Sequence, residues 1–233
     1  MVSSMPLRRR PLVAAAVAVA VTLVLAACQA EPLSNPDGTG AGLAATSDRA
    51  AAVRVIDRVA TAGRGPKTGY TRDEFGSGWL DSVDVAFGHD GCDARNDILA
   101  RDLTGETFKA GTGNCVVMTG SLDDPYTATT ISFTKAQATK VQIDHVIPLS
   151  YAWQMGASRW TDAKRRDFAN DPLNLMAVDG PTNGAKSDSG PASWLPPNKK
   201  IRCSYAVRIA QVSRTYGLPV TAADKTAMRA QCA

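Results

Sequence analysis

The chain has 233 residues, with 26 lysines and arginines, 22 acidic residues and two histidines. Three of the basic residues, Arg8, Arg9 and Arg10, lie in an N-terminal segment that we expect to be removed, so the mature chain is close to neutral. This balance says little about partners, but no strongly basic arm for nucleic acid is identified in the sequence. Two histidines exclude a zinc site with three histidine ligands. Residues 140–233 hold 13 basic and seven acidic side chains, which fits a polyanionic substrate but is also common without one.

Residues 1–27 have the pattern of a secretory signal. The three arginines precede an apolar run from Pro11 to Ala27 that is too short for a comfortable membrane span. The run ends in "LAAC", which resembles a bacterial lipobox and predicts lipidation of Cys28. Ordinary signal cleavage nearby is the alternative, and the arginine cluster leaves twin-arginine export open. We expect an exported protein that is lipid-anchored to the outer face of the cell membrane or secreted.

The signal is followed by a tether and one domain. Residues 28–48 are small and polar without apolar periodicity, which predicts a flexible linker. Residues 49–233 are enough for a single compact domain. Its first helix is predicted from Arg49 to about Ala62, with Ser47 or Asp48 as the N-cap.

The middle of the domain is predicted to consist of short strands and loops. A helix is predicted from Asp93 to Leu103. Two strands are predicted, at residues 115–119 and 127–133, and turn residues separate them at Gly120 and at Asp123-Asp124-Pro125.

The C-terminal part alternates strands and helices. The predicted elements are a strand at residues 140–147 stopped by Pro148, a helix to Met155 capped by Ser150, a helix at 162–168 capped by Thr161, a strand at 173–178, a helix from Pro181 or Thr182, a helix at 201–216 stopped by Gly217, and a last helix from Thr221 to Cys232.

Four cysteines remain after Cys28, and an even number in an exported protein predicts two disulfides. Sequence proximity favours Cys92–Cys115 and Cys203–Cys232 among the three pairings. A four-cysteine zinc site is the alternative, but the chain has no C-x-x-C pair to build one.

Two stretches carry the chemistry: "DHVIPLS" at residues 144–150 and "DPLNLMAVDGPTNGAKSD" at residues 171–188. They resemble the HNH, or ββα-metal, nuclease motif, including that of CRISPR effector nucleases. They are closer still to small exported bacterial proteins related to the C-terminal part of the GmrSD restriction enzyme. The resemblance runs from about Tyr70 to Tyr216. It implies an α+β fold, with a ββα-metal core at about residues 140–190 embedded in a single small domain with additional helices and short strands.

Hydrolysis of a phosphodiester needs a base for water and a cation for the developing charge. His145 is predicted to be the general base, since its ordinary pKa lies near neutrality. Asp144 precedes it on an extended strand and points the other way, so it needs a different role. The resemblance makes Asp144 and Asn183 metal ligands, and it makes Asn174 a hydrogen-bonding partner of the backbone near His145. Many relatives have a final histidine where this chain has Asn183.

Carboxylate and amide oxygens are hard ligands, which favours Mg²⁺ over Zn²⁺, with Mn²⁺ as the alternative. Lys186 follows Asn183 by three residues and is predicted to share its helix face and to reach phosphate. The resemblance also suggests that Arg95 clamps phosphate near the cleft. A solvent-exposed surface charge is the alternative for both.

The leading hypothesis is an exported, metal-dependent endonuclease that cuts DNA with low sequence specificity, with RNA as the alternative substrate. A non-catalytic envelope lipoprotein that keeps the fold and binds nucleic acid or another partner is the rival. We expect a monomer.

Overall fold

The computed structural model describes residues 48–233. The predicted signal, the predicted lipidation site Cys28 and all but the last residue of the tether lie outside the described residues. Within residues 48–233 the chain folds as a mixed α+β domain with two antiparallel sheets. In this part of the chain, no helix is long and apolar enough to cross a bilayer.

The described part contains seven α-helices and five strands. The helices are α1 Arg49–Asp57, α2 Ala94–Asp102, α3 Leu149–Met155, α4 Asp162–Asn170, α5 Gly180–Lys186, α6 Arg202–Tyr216 and α7 Ala222–Cys232. The strands are β1 Leu103–Phe108, β2 Val117–Asp123, β3 Thr130–Thr134, β4 Val141–His145 and β5 Leu175–Asp179. Short 3-10 segments lie at Arg72–Phe75, Lys135–Lys140, Ala157–Arg159 and Lys199–Ile201.

The larger sheet has the order β1-β2-β3, and both of its pairings are antiparallel. The predicted turn at Gly120 is wrong, because Gly120 lies inside β2 opposite Phe133. A Cβ at this position would stand 3.0 Å from side-chain atoms of Leu103, so a glycine lets β1 approach closely. Strand β1 itself was not predicted, since its residues have little apolar alternation.

The smaller sheet pairs β4 with β5, and it separates two apolar clusters. Alternate strand residues point to opposite faces. Ile143 and Ala177 therefore belong to the cluster beneath the larger sheet, whereas Met176 and Val178 belong to the larger, mainly helical cluster. Both faces of this sheet are covered by apolar side chains, which fixes the positions of the residues in β4 and β5.

Most helix boundaries follow the predicted caps. Thr161 and Thr221 accept hydrogen bonds from the backbone N–H three residues later and begin α4 and α7. Helix α1 is shorter than predicted and ends at Asp57. The predicted cap Ser150 is wrong: the N-cap of α3 is Pro148, two residues earlier, and the Ser150 hydroxyl instead donates to Asp188 at 3.0 Å.

The predicted disulfide pairing is confirmed. Cys92 is bonded to Cys115, which ties the residues before α2 to the approach to β2. Cys203 is bonded to Cys232, which ties α6 to α7.

Residues 64–79, the 64–79 segment, form a connection that runs along α3 and α4. Its aromatic anchor is Phe75, whose side chain is buried in the helical cluster. Three hydrogen bonds to the two helices fix its course: Gly65 N–H to the Gln154 carbonyl at 2.9 Å, Trp153 Nε1–H to the Thr68 carbonyl at 3.2 Å, and Arg165 Nε–H to the Glu74 carbonyl at 2.7 Å.

Candidate active site

A cleft of about 470 Å³ opens beside the end of β4, and Asp144, His145 and Asn183 all line it. Asp144 and His145 pair with Met176 and Leu175 of β5. Helix α5 follows β5 directly, because Asp179 ends the strand and caps the helix by accepting from Thr182 N–H at 2.8 Å. This sequence of strand, strand and helix brings Asn183 to the same cleft as the Asp-His pair.

The carboxylate of Asp144 is buried and holds an ion pair with Lys186. Lys186 Nζ lies 2.8 and 2.6 Å from the two Asp144 oxygens, and Tyr126 donates its hydroxyl to Oδ2 at 2.5 Å. Burial, with the neighbouring carboxylate, raises the pKa of Tyr126 well above its usual value, so the phenol keeps the proton that it donates. Sequence reasoning missed Tyr126, because nothing in its spacing connects it to the motif.

Lys186 does not have the environment that was predicted for it. Its side chain is 0% exposed, and its Nζ also donates to the His145 carbonyl at 2.7 Å. Two carboxylate oxygens and one carbonyl use all three ammonium protons. Burial lowers the pKa of Lys186, and the Asp144 carboxylate opposes that shift. The predicted contact of Lys186 with a phosphate does not fit this environment. In this structure Lys186 joins α5 to the end of β4.

His145 is buried, and two contacts fix its ring. Its Nε2 lies 2.9 Å from the Ala169 carbonyl, which can only accept, so Nε2 carries the proton. The ring of Trp79 stacks on it, with centroids 5.5 Å apart and planes 12° from parallel. Burial, with the positive charge of Arg72, lowers the pKa of His145 to about 3, so the ring is neutral near pH 7 but a weaker base than its ordinary pKa had predicted. The free lone pair of this tautomer is therefore on Nδ1.

Asn174 is fully buried between β4 and α3. Its Oδ1 accepts from Ile147 N–H at 2.9 Å, and its Nδ2 donates to the carbonyls of Ile147 and Phe168. The resemblance implied a hydrogen bond from Asn174 to the backbone near His145, and the bonds to Ile147 are of this kind. The residue shapes the turn that leaves β4.

Asn183 and Asp144 offer oxygens of the type that a hard divalent cation prefers. Asn183 Nδ2 donates to Gln142 Oε1 at 2.9 Å, and within residues 48–233 its Oδ1 accepts no hydrogen bond. A carboxylate has about four lone-pair sites, so Asp144 keeps one beyond those used by Lys186 and Tyr126. The donor set therefore fits Mg²⁺ or Mn²⁺, and without a thiolate or imidazole ligand it fits Zn²⁺ poorly.

Arg95 does not line this cleft. Its guanidinium donates to the carbonyls of Val141 at 3.2 Å and Ala138 at 3.5 Å, which joins α2 to the chain entering β4. The predicted phosphate clamp therefore does not fit its position. The cations that do line the cleft are Lys67 and Arg72, which come from the 64–79 segment and were missed because no sequence spacing relates them to the motif.

A second group of potential ligands lies outside the cleft. Atoms of Asp90, Cys92 and Asp97 lie within 4.8 Å of one another, but the Cys92 sulfur is bonded to Cys115 and is not a thiolate. Burial and the charges of Asp90, Asp93 and Asp81 raise the pKa of Asp97 to about 7. This group is a crowded set of carboxylates, and nothing else in it indicates a ligand.

Two comparisons with known proteins bear on the whole domain. A family model described as "GmrSD restriction endonucleases, C-terminal domain" matches residues 93–231. A protein from Arthroderma benhamiae, described as an uncharacterized secreted protein, is 39% identical over 167 residues, which cover 71% of this chain and 75% of that protein. The family match includes the Asp-His pair, Asn174 and α5, and it begins after the 64–79 segment.

Proposed function

Because the chain belongs to the family of the GmrSD restriction endonuclease C-terminal domain, we propose that it is an exported, metal-dependent HNH-type endonuclease that hydrolyses phosphodiester bonds of DNA with low sequence specificity. The observation that carries this proposal is the neutral His145 in one cleft with the oxygen donors Asp144 and Asn183. Strands β4 and β5 with helix α5 serve in this proposal as the ββα-metal core.

His145 acts as the general base through Nδ1. Its Nε2–H is held by the Ala169 carbonyl, so the ring presents an unprotonated nitrogen to water without a change of tautomer. The Trp79 stack limits rotation of the ring. A base in a fixed orientation lowers the entropic cost of reaching the transition state.

Asp144 and Asn183 hold the cation, with Mg²⁺ the expected ion and Mn²⁺ the alternative. When bound, such an ion stabilises negative charge on the phosphate and on the leaving oxygen. Gln142 orients the Asn183 amide by accepting from Nδ2, so that Oδ1 is the atom left for the ion. Lys186 and Tyr126 fix the Asp144 carboxylate from the protein side.

The cleft also carries the positive charges of Lys67 and Arg72, which favour contacts to the phosphates of the substrate. Phosphate contacts carry no sequence information, so low specificity and salt-sensitive binding are expected. RNA is the alternative substrate, and competition between DNA and RNA for cleavage distinguishes the two.

Export is supported by the two disulfides and by the secreted relative. Lipid anchoring through Cys28 and a monomeric state stay predictions.

The test is cleavage of supercoiled plasmid with Mg²⁺, with EDTA, and by His145→Ala. We expect Mg²⁺-dependent cutting that falls by about 10²–10⁴-fold in His145→Ala, since a positioned base contributes a factor of this size. His89→Ala is the matched control, because His89 is the other histidine and is exposed outside the cleft. It should cut at the wild-type rate.

Two results would contradict the proposal. Equal loss of activity in His89→Ala and His145→Ala would remove the evidence for a specific base. No cutting of plasmid, single-stranded DNA or RNA with Mg²⁺, Mn²⁺ or Ca²⁺ would favour a non-catalytic binding protein instead.

A further inference from the structure

The positive groups around the cleft differ in whether an acidic side chain already neutralises them. Lys186 is buried against Asp144. Lys67 Nζ lies 3.3 Å from Asp188 Oδ2, with Arg64 3.7 Å from the same oxygen. For Arg72, by contrast, no carboxylate partner and no side-chain hydrogen bond is found anywhere in residues 48–233. Among the cations that line the cleft, Arg72 is the one whose charge is left for a ligand.

The backbone of Arg72 is nevertheless well fixed. Arg72 begins the 3-10 turn that ends at Phe75, whose side chain is 1% exposed. The Glu74 carbonyl within this turn accepts the bond from Arg165 on α4. An exposed guanidinium on an anchored turn loses little backbone entropy when it binds an anion.

Arg72 and the candidate base His145 line the same cleft, and both contact the ring of Trp79. Its central carbon lies 5.8 Å from the Trp79 ring centroid, and that ring is the one stacked on His145. This is the geometry of a cation–π contact, which orients an arginine without using its N–H donors. All five donors remain for an acceptor in the cleft.

We propose that Arg72 is the phosphate-binding residue of the cleft and that its guanidinium binds the substrate phosphate beside His145. The planar fork of arginine matches two oxygens of one phosphate, which a lysine does not. The proposal rests on the proposed nuclease function and adds to it a substrate contact that comes from before the family-matched residues 93–231. It also gives to Arg72 the role that the sequence had suggested for Arg95 and Lys186.

The experiment measures binding separately from cutting. The full-length chain carrying His145→Ala is titrated into a short fluorescent DNA duplex with Mg²⁺ at several salt concentrations, alone and with Arg72→Ala, Arg72→Lys or Arg58→Ala added. Arg58 is the matched control, since it is an exposed arginine at the C-cap of α1 and does not line the cleft. Circular dichroism checks that each variant is folded.

We expect Arg72→Ala to raise Kd by about ten- to a hundredfold, as for loss of a charge-assisted hydrogen-bonded pair. The slope of log Kd against log salt should fall by about 0.9, the value for one phosphate contact on duplex DNA. Arg72→Lys should keep the salt slope and recover only part of the affinity. Arg58→Ala should match the parent.

Equal Kd values and salt slopes for Arg72→Ala and Arg58→Ala would overturn the proposal while leaving the nuclease function standing if plasmid is still cut. Binding that depends on Arg72 in a chain whose wild type cuts nothing would support the phosphate contact and overturn the nuclease function. A parent that does not bind the duplex would overturn the role of Arg72, and it would overturn the nuclease function as well if the wild type also cuts no plasmid.

Discussion

Two lysines near the same cleft have opposite environments. Lys186, on α5, is 0% exposed and pairs with an Asp144 side chain that is 6% exposed. Lys67, in the 64–79 segment, is 56% exposed and pairs with an Asp188 side chain that is 39% exposed. The first pair is part of the interior of the protein, and the second lies in water.

This difference separates the two sides of the cleft. On the side built from β4, β5 and α5, polar groups are buried and satisfy one another, so their replacement should first affect stability and metal binding. On the side built from the 64–79 segment, Lys67 and Arg72 are exposed, so their replacement should affect ligand binding and leave the fold intact. A buried charge without its partner strongly lowers the stability of the fold, whereas an exposed ion pair contributes little to that stability.

The largest expected effect is that of Lys186→Met on stability. Removing the ammonium leaves the Asp144 carboxylate buried with Tyr126 as its remaining side-chain donor, and we expect the free energy of unfolding to fall by about 3–5 kcal/mol. Unfolding in urea measures this change in the free energy of unfolding. Lys67→Met is the matched control and should cost no more than about 1 kcal/mol.

A second variant removes both buried charges. Lys186→Met combined with Asp144→Leu should recover much of the lost stability, because no unpaired charge remains. If Lys186→Met and Lys67→Met were equally stable, the contrast between the two sides of the cleft would be wrong.

A smaller effect is expected for Gln142→Ala, which removes the group that orients the Asn183 amide. Loss of such an outer-sphere partner typically weakens metal binding by about tenfold or more. The Mg²⁺ concentration needed for half-maximal cutting should rise accordingly, and the Mg²⁺-dependent increase in melting temperature should shift to higher concentrations. Gln211→Ala, on α6, serves as the control. The same metal dependence in both variants would mean that Gln142 does not act through Asn183.

The smallest effect concerns Trp79, where the two sides of the cleft meet. Trp79→Leu removes the ring that stacks on His145, and an aromatic pair of this kind is worth about 0.5–1.5 kcal/mol. We expect kcat to fall by about two- to tenfold with KM less affected, and Trp79→Phe to restore most of kcat. Turnover of Trp79→Leu at the wild-type rate would show that the stack does not position the base.

The side of the cleft that contains the motif could be predicted from sequence because its residues are local to two strands and one helix. The alternation in residues 140–147 predicted β4. A helix was predicted to start at Pro181 or Thr182, and α5 begins at Gly180. The bond of Asn174 to the backbone followed from the resemblance. Disulfide pairing followed from proximity along the chain.

The features of the fold and site that were not predicted depend on contacts between residues far apart in sequence. Lys186 was predicted to reach phosphate, with a solvated surface charge as the alternative, because most lysines are exposed. Its burial becomes evident only once its contact with Asp144 is known. Tyr126 and Trp79 contact Asp144 and His145 from distant parts of the chain. Gly120 was interpreted as a turn residue, although its lack of a side chain serves the packing of β1.

The ion pair between Lys186 and Asp144 has a consequence for how the protein matures. Many small metal-binding domains unfold when their metal is withdrawn, because metal binding supplies their folding free energy. Here a lysine from the chain itself already balances the carboxylate of the candidate site. If the proposed function holds, the exported chain folds without a divalent ion. It becomes active only where the concentration of the ion is high enough to fill the site. The ion would then control catalytic activity without being needed for folding.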